Sequence, residues 1–545
     1  MTQKPNKLER LKSELPPAQF APFLETLDWE NVNERERFYL KSFGIYNIKM
    51  RPDVYMLRLR IDGGQIGLPE LEVIAALAQE HELNVIITAR AQIELHGIAP
   101  GEVYAVYTAL HRGGITTHQT LTDNFRAITT DPYDGAAADS RIDTQPLVAQ
   151  IRERILDRPE WMGTIPRKFN TAIIGRITPL VNPWANDLLF ALAQRDGAWG
   201  FNVYLGGKNS EVARPVDIFI LPEAVPDLFM AVAGVFQEHG LRGSRAKIRF
   251  FHLIESVGMA QVRDWIEAAM GQELSQNGEL QMARAVPTGA TLLGDGRYGE
   301  MVATRYGDVT ADELLAVISR AHREHLEIHL GTDQNFHLIG VSHPPAPVTQ
   351  TQIIACAGVR HCPLALWDIK HDVPALPLDR FSRHGITVGF SGCLKGCGRH
   401  YHSDIGLFGL RTNLYGETER AVRVYLGAIQ SPDAAPGRMI YYSVPERKME
   451  ALLSVILDEY EHSGLPDFES YARHIRHYST EWLQLWYLLH LNGQLTEEIQ
   501  AGFLDGRDEK ALVAETTEKL GTDPGEGYAD AIRSLSHRVW DQTAG

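Results

Sequence analysis

The chain has 545 residues, of which 44% are hydrophobic and 22% are charged, and these ordinary values exclude disordered, collagenous and coiled-coil proteins. With 69 acidic and 53 basic residues the formal net charge is −16, which argues against a general nucleic-acid binder, so any anion site must be built locally. At roughly 150 residues per domain, the length predicts three or four domains.

The beginning of the chain carries no targeting signal. MTQKPNKLERLKSEL is charged and lacks an apolar core. The most apolar stretch, Leu228 to Phe236, is too short to span a bilayer. We therefore expect a soluble, cytoplasmic protein with no membrane span.

Two α/β segments of the chain follow the same order. In residues 53–98, DVYMLRLRI alternates as a strand does, Pro69 opens a helical run, and NVIIT and QIELHGI follow as strands. In residues 300–341, the strand EMVATRY precedes a helix that begins at a capping box of Thr310 and Glu313, and LEIHL and NFHLIGV follow as strands. These segments predict a repeated unit, A and A′.

A second pair of segments also matches. RKFNTAIIG leads to NDLLFALAQRDGAWGFNVYLGG, with a hairpin turn predicted at Asp196 and Gly197. HGITVGFSGC leads to SDIGLFGL and RAVRVYLGA, and Val-Tyr-Leu-Gly occurs in both copies, at 203–206 and 424–427. The order A, B, A′, B′ predicts an internal duplication rather than a chance similarity. The remaining stretch, which contains EWLQLWYLLHLNG, predicts a helical extension.

All the cysteines of the chain lie in B′, as a Cys-x5-Cys pair and a Cys-x3-Cys pair: Cys356, Cys362, Cys393 and Cys397. Disulfides are disfavoured in the cytoplasm, and structural zinc usually takes more closely spaced pairs. Four thiolates from two loops suit a [4Fe-4S] cluster, and Gly392, Gly396 and Gly398 would let the backbone approach it closely. Zinc or inert thiols remain the alternatives.

The cysteine segments ACAGVRHCPLA and FSGCLKGCGRHYHSDIGLFGL resemble the sirohaem and [4Fe-4S] signature of the ferredoxin-type nitrite and sulfite reductases. The resemblance extends, in the family's order, to MLRLRIDGG, TARAQIELHGI, DNFRAITT, IPRKFNTAI and GFNVYLGG, and covers the chain from Phe38 to Arg476. It implies an α+β fold, internally duplicated as A-B-A′-B′, with mixed sheets, ferredoxin-like halves, a pseudo-twofold axis and three lobes.

The expected domains follow from this resemblance and from the repeats. They are an N-terminal arm (1–37), ferredoxin-like half repeat A (38–105), a sirohaem and substrate domain B (106–280), ferredoxin-like half repeat A′ (281–348), a [4Fe-4S] and sirohaem domain B′ (349–478) and a C-terminal helical extension (479–545).

The resemblance implies two cofactors, sirohaem and a [4Fe-4S] cluster. The four cysteines would be the metal ligands, and Cys397 would also bridge the cluster to the sirohaem iron, which gives a through-bond path for electrons. The implied reaction is the six-electron reduction of nitrite to ammonium, and the alternative is the reduction of sulfite to sulfide with the same cofactors. More remote alternatives are a relative in corrin biosynthesis and a zinc-stabilised binding protein.

The same resemblance implies a catalytic, anion-binding set: Arg58, Arg126, Lys168 and Asn170. Clustered cations can hold the anion and supply protons, although each basic residue alone would be an ordinary surface residue. The Lys-x-Asn of RKFN is typical of the nitrite branch, where sulfite reductases usually have Lys-x-Lys, and one fewer cation suits a monoanion. Because CPLA after Cys362 looks more like the sulfite branch, nitrite is favoured while sulfite stays open.

Further residues match haem-binding positions of the family: Arg90, His96, Arg242, Arg245, Lys247 and Arg249. For the run LRGSRAKIR, a solvated face or a partner patch is the alternative. A buried structural histidine is the alternative for His96.

The sequence offers no flavin or nicotinamide site, because no G-x-G-x-x-G opens a helix after a strand. Electrons must then come from a donor protein, either a ferredoxin or a separate reductase subunit. Candidate docking residues near the cysteines are Arg399, His400, His402 and Arg411, and docking through them should weaken with salt.

Overall fold

The computed structural model describes residues 4–48, 51–180, 182–284, 289–346, 353–371, 375–431, 433–493, 514, 518 and 528–541. The chain divides into two compact units, Met1–Val348 and Thr349–Gly545. Within the described ranges, no helix has the length and apolar character needed to cross a membrane. The finer domain boundaries stay predictions.

The first unit is built from short strands and amphipathic helices. Its strands are β1 (Ile45–Ile48), β2 (Arg51–Arg58), β3 (Gln65–Ile66), β4 (Asn84–Ile87), β5 (Ile93–Ile98), β6 (Thr171–Ile174), β7 (Leu188–Arg195), β8 (Ala198–Leu205), β9 (Arg214–Ile220), β10 (Glu279–Leu280), β11 (Ala290–Leu292), β12 (Tyr298–Val302), β13 (Asp308–Val309), β14 (Glu327–Leu330) and β15 (Phe336–Val341). Its helices are α1 (Lys7–Glu14), α2 (Glu34–Leu40), α3 (Leu68–Glu80), α4 (Val103–Arg112), α5 (Gln145–Ile155), α6 (Val225–His239), α7 (Phe250–Val257), α8 (Met259–Met270) and α9 (Ala311–Glu324).

Two sheets of the first unit have the same architecture and exchange an edge strand. Their orders are β1-β2-β5-β4-β13 and β11-β12-β15-β14-β3. Strand β13 of the second copy completes the first sheet beside β4, and β3 of the first copy completes the second sheet beside β14. Helices α3 and α9 contribute Ile74 and Ile318 to one shared hydrophobic core. The predicted duplication of segment A is confirmed.

The sequence signals at the starts of these two helices are also confirmed. Pro69 lies in the first turn of α3, where its missing N–H costs no hydrogen bond. At the start of α9 the Thr310 hydroxyl accepts the N–H of Glu313, and the Glu313 carboxylate accepts the N–H of Thr310. Strand β12 is shorter than predicted, because the chain turns at Tyr306 and Gly307, which both have positive φ, and returns as β13.

The third sheet of the first unit has the order β10-β7-β8-β9, with β6 parallel to β7. The hairpin between β7 and β8 turns at Asp196 and Gly197, as predicted, with φ of 51° and 82°. Bridges from Phe125 and Thr129 place the segment before β6 parallel to it.

The second unit contains one five-stranded sheet of order β16-β17-β18-β19-β20, in which β16, β17 and β18 are parallel. The strands are β16 (Ile353–Ala355), β17 (Val388–Ser391), β18 (Ile405–Thr412), β19 (Glu419–Leu426) and β20 (Arg438–Pro445). The helices are α10 (Leu378–Arg383), α11 (Glu446–Ser463), α12 (Phe468–Ile475), α13 (Thr480–Leu491) and α14 (Tyr528–Trp540). Helix α13 packs against α11, α14 and β20.

Repeats B and B′ share a pattern of hydrogen bonds around one aspartate. The Asp187 carboxylate accepts the N–H of Asn170 at 2.8 Å, and its carbonyl accepts the N–H of Gly206. In B′, Asp404 accepts the N–H of Thr387 at 2.8 Å and its carbonyl accepts that of Gly427. The two glycines end the two Val-Tyr-Leu-Gly tetrapeptides, so the duplication of segment B is confirmed as well.

Candidate functional site

Arg126 lies at the centre of a cationic cluster in the first unit. Its Nη2 donates to the Thr122 carbonyl at 2.9 Å, and its Nη1 is buried with no hydrogen-bond partner. Burial, reinforced by the charges of Arg58, Arg90 and Arg167, lowers the pKa of Arg126 well below its ordinary value. A buried guanidinium nitrogen without an acceptor, among further cations, fits a site for a bound anion.

Arg58 ends strand β2 and is held by a buried acid opposite it. Its Nε donates to the Glu94 carboxylate at 2.8 Å, and its Nη2 makes a second bond to the same oxygen. The other oxygen of Glu94 lies 2.9 Å from Nε2 of His96. Burial would raise the pKa of Glu94, but Arg58 and His96 together outweigh it and lower the pKa below its ordinary value. The sequence analysis predicted roles for Arg58 and His96 and gave none to Glu94.

Lys168 and Asn170 lie directly before β6. Lys168 is partly buried, and Asn170 is buried with its side-chain Oδ1 lacking a partner. The main chain of Asn170 is fixed by Asp187, which in turn forms a two-pronged ion pair with Arg249 at 3.0 and 2.6 Å. The main chain of Asn170 is therefore fixed, while its buried Oδ1 has no hydrogen-bond partner, which is compatible with a ligand-binding group.

The predicted haem-carboxylate arginines of the basic run already have acidic partners. Arg245 donates to both oxygens of Asp123 at 2.7 and 2.8 Å, and Arg242 pairs with Glu9. Lys247 is exposed. The role of this run in haem binding stays a prediction.

Arg90 is bound differently from the basic run. It donates to the Asn186 side chain and to the Ala127 carbonyl, both at 2.9 Å. Both of these acceptors are neutral groups. The role of Arg90 as a haem-carboxylate contact stays a prediction.

The cysteines of the second unit are positioned by two adjacent parallel strands. Cys356 directly follows β16, and Cys393 follows β17 by two residues. Because the carboxyl ends of parallel strands meet at one sheet edge, the two cysteine loops emerge together. The loops also pack closely, since a Cβ at Gly398 would collide with the Phe390 carbonyl. This contact explains Gly398 by loop packing, whereas the sequence predicted close approach to a cluster.

The four thiols form one electrostatic group. Burial, with a contribution from Cys397, raises the pKa of Cys356 to about 12, and burial together with Cys397 and Cys362 raises the pKa of Cys393. The N–H groups of Gly358 and Gly392 donate to the sulfur of Cys356 at 3.4 and 3.2 Å. Backbone donors directed at a buried sulfur would stabilise a metal-bound thiolate, and such bonds tune iron–sulfur clusters.

The four thiols come from two adjacent loops and can be ligands of one metal centre. Zinc needs four ligands at about 2.3 Å from one centre, whereas each thiolate of a cubane binds a different iron. The donor set and its spacing therefore fit a [4Fe-4S] cluster.

The cysteine loops also expose apolar side chains that the sequence analysis did not single out: Val359, Leu364, Leu366 and Leu394. Leu394, between Cys393 and Cys397, is 60% exposed. The sequence places Leu364 and Leu366 after Cys362, and Leu394 after Cys393, but it does not show that these side chains are exposed. Of the predicted docking residues, Arg411 is exposed, while His400 and His402 are buried and offer no surface to a donor protein.

Two family models match the chain. The nitrite/sulfite reductase ferredoxin-like half domain matches residues 48–113, and the nitrite and sulphite reductase 4Fe-4S domain matches residues 121–274. The ferredoxin–nitrite reductases of Leptolyngbya laminosa and Synechococcus elongatus are 27% and 26% identical to the chain, each over 84% of it and 97% of the relative. The chain is therefore similar to nitrite and sulphite reductases over most of its length.

Two further matches extend the comparison. A ferredoxin sulfite reductase of Mycolicibacterium paratuberculosis is 26% identical, over 76% of this chain and 80% of the relative. The solved NirA protein of Mycobacterium tuberculosis has the same fold, with a TM-score of 0.77 at 21% identity over 88% of this chain and 97% of that one. Both matched family ranges end before Cys356, so the ligand assignment rests on the geometry of the cysteine loops.

Proposed function

We propose that this protein is an oxidoreductase that reduces nitrite to ammonium: NO₂⁻ + 6e⁻ + 8H⁺ → NH₄⁺ + 2H₂O. The observation that carries the proposal is the buried, unpartnered Nη1 of Arg126 among three further arginines. Such a cluster stabilises a small anion. The relatives at 27% and 26% identity are named ferredoxin–nitrite reductases.

The residues present fit the two cofactors of the family. Cys356, Cys362, Cys393 and Cys397 would hold the [4Fe-4S] cluster, and Cys397, which is exposed, would also bind the sirohaem iron. When bound, these groups would supply electron storage and a redox-active iron for reduction of the anion. Arg90, which donates to Asn186 and Ala127, would contact the haem carboxylates, whereas Arg242, Arg245 and Arg249 would first have to leave their acidic partners.

The chain's own residues bind the anion and handle protons. Arg58 and Arg126 bind the negatively charged substrate. The Lys168 ammonium can donate a proton to a reduced oxygen or nitrogen atom. Asn170 offers a hydrogen bond without adding charge, which suits monoanionic nitrite better than dianionic sulfite. Reduction of sulfite to sulfide remains the second candidate, because CPLA after Cys362 resembles the sulfite branch.

The electrons come from a separate protein, a ferredoxin or a reductase subunit. The relatives named above are ferredoxin-dependent. The exposed apolar residues of the cysteine loops, such as Leu394, would lie beside the cluster and suit a short path from a docked donor. Arg411 is the predicted docking cation that remains exposed, and it would complement an acidic donor at low salt.

The proposal is tested on the purified protein. We expect a sirohaem absorption spectrum, about five iron atoms per chain and ammonium as the product when reduced donor and nitrite are supplied. A colourless protein that contains zinc and no iron would contradict the redox function. Activity on a tetrapyrrole with none on either anion would instead support the corrin relative.

A further inference from the structure

A buried carboxylate lies inside the predicted anion site, where it is not expected. Glu94 on β5 is paired in register with Arg58 on β2. Its side chain is 5% exposed, and it accepts from Arg58 at 2.8 Å and lies 2.9 Å from the His96 ring nitrogen. A negative charge at this position weakens anion binding, so the presence of Glu94 requires an explanation.

The second half of the duplication shows that the fold does not require this pair. Gly97 and Gly340, with φ of 98° and 101°, end equivalent strands and align Glu94 with His337. Opposite His337 the register places Met301, where the first half has Arg58. His337 instead bonds to Tyr133 and to Asp333, at 2.9 and 3.1 Å, in a closed and buried network.

We propose that Glu94 is a specificity-determining residue, whose carboxylate positions Arg58 and His96 and lowers the positive charge of the site so that a monoanion is preferred over a dianion. This inference rests on the proposed function and deepens it, because it concerns which anion the same site selects.

The charge argument follows from Coulomb's law. Arg58 is one of the cations whose charge is felt by Arg126. The Glu94 carboxylate beside Arg58 offsets most of the positive charge that Arg58 would present to a bound anion. The interaction of a site charge with sulfite as the dianion is twice that with nitrite, so removing one negative charge helps sulfite more. In a partly screened site, we expect the difference to amount to about tenfold in relative affinity.

The test is the Glu94→Gln variant of the holoenzyme, since the amide keeps the shape and the hydrogen bonds but not the charge. Dissociation constants for nitrite and sulfite are measured from the change of sirohaem absorbance at mildly alkaline pH, where sulfite is mainly the dianion. We expect the ratio of the sulfite to the nitrite constant to fall about tenfold. Asp333→Asn, which removes a buried carboxylate paired with a histidine in the second half, should leave the ratio unchanged.

Glu94→Asp separates charge from structure. The Glu94→Asp variant keeps the carboxylate, so it should retain the wild-type ratio even if both affinities weaken. If Glu94→Gln does not load its cofactors, Glu94→Asp is compared with the wild type instead. An unchanged ratio in Glu94→Gln, or a tenfold fall in Glu94→Asp, overturns the inference. If the wild-type holoenzyme binds neither anion, the proposed function fails instead.

Discussion

Arg58 and Arg60 lie two residues apart on one sequence motif but have different surroundings. Arg60 is buried, pairs with Asp62 at 2.8 Å and donates to the Phe125 carbonyl. Arg58 pairs with Glu94, which is 36 positions away in the chain. The motif predicts cations here, but alternation alone does not fix strand register, so the sequence could not show that Arg58 has an acidic partner.

Arg126 should contribute to binding rather than to stability. Replacing it by Gln removes a buried cation whose Nη1 lacks a partner, so we expect the nitrite KM to rise at least about tenfold with no loss in the free energy of unfolding. Arg60→Gln is the matched control, because it leaves Asp62 without its buried partner and should cost about 3 kcal/mol. The anion role is wrong if Arg126→Gln keeps the wild-type KM.

His400 should make stability depend on pH. Both ring nitrogens are buried without partners, and burial, with smaller effects of His402 and Arg423, lowers the pKa of His400 from 6.5 to about 3. Between these values the unfolded chain binds a proton that the native protein excludes, so stability falls as the pH falls, by up to about 1.4 kcal/mol per pH unit.

The test compares the urea unfolding of the wild type and of His400→Leu at several pH values from neutral to mildly acidic. The variant should lose less stability on acidification, and a variant of the exposed His343 should behave as the wild type. If stability falls equally with pH in the wild type and in His400→Leu, His400 binds its proton equally well in the native and the unfolded state, and the account is wrong.

At the level of elements, the repeats were predictable and the partners of their strands were not. The alternation in QIELHGI and NFHLIGV, the capping box at Thr310 and the turn at Asp196 are local signals, and the structure confirms them. The exchange of β3 and β13 between the two sheets is non-local. Two-residue edge strands carry too little pattern to specify a partner, so only the structure reveals this exchange.

The equivalent aspartates of B and B′ should differ in their contribution to stability. Asp187→Ala leaves Arg249, which is 12% exposed, without its carboxylate, so we expect a loss of about 3 kcal/mol or more. Asp404→Ala leaves the N–H and hydroxyl of Thr387 without their shared acceptor, which should cost about 1–3 kcal/mol. Chemical denaturation measures both, and a larger loss for Asp404→Ala would contradict this account of the duplication.

At the scale of the whole molecule, the duplication has separated two kinds of chemistry. The cationic cluster around Arg126 belongs to the first unit, and the four cysteines belong to the second. The net charge of −16 is the background against which we propose that the arginines form a local anion site. The sequence predicts the C-terminal helices but not the packing of α13 against β20, because the apolar character of a helix does not specify which element it packs against.

The central claim is that the holoenzyme reduces nitrite in preference to sulfite. The direct measurement is kcat/KM for both anions with one donor and one preparation, with ammonium and sulfide quantified as products. We predict a higher value for nitrite, because Asn170 and Glu94 leave the site suited to a monoanion. A value for sulfite that exceeds the one for nitrite by a wide margin would contradict the account.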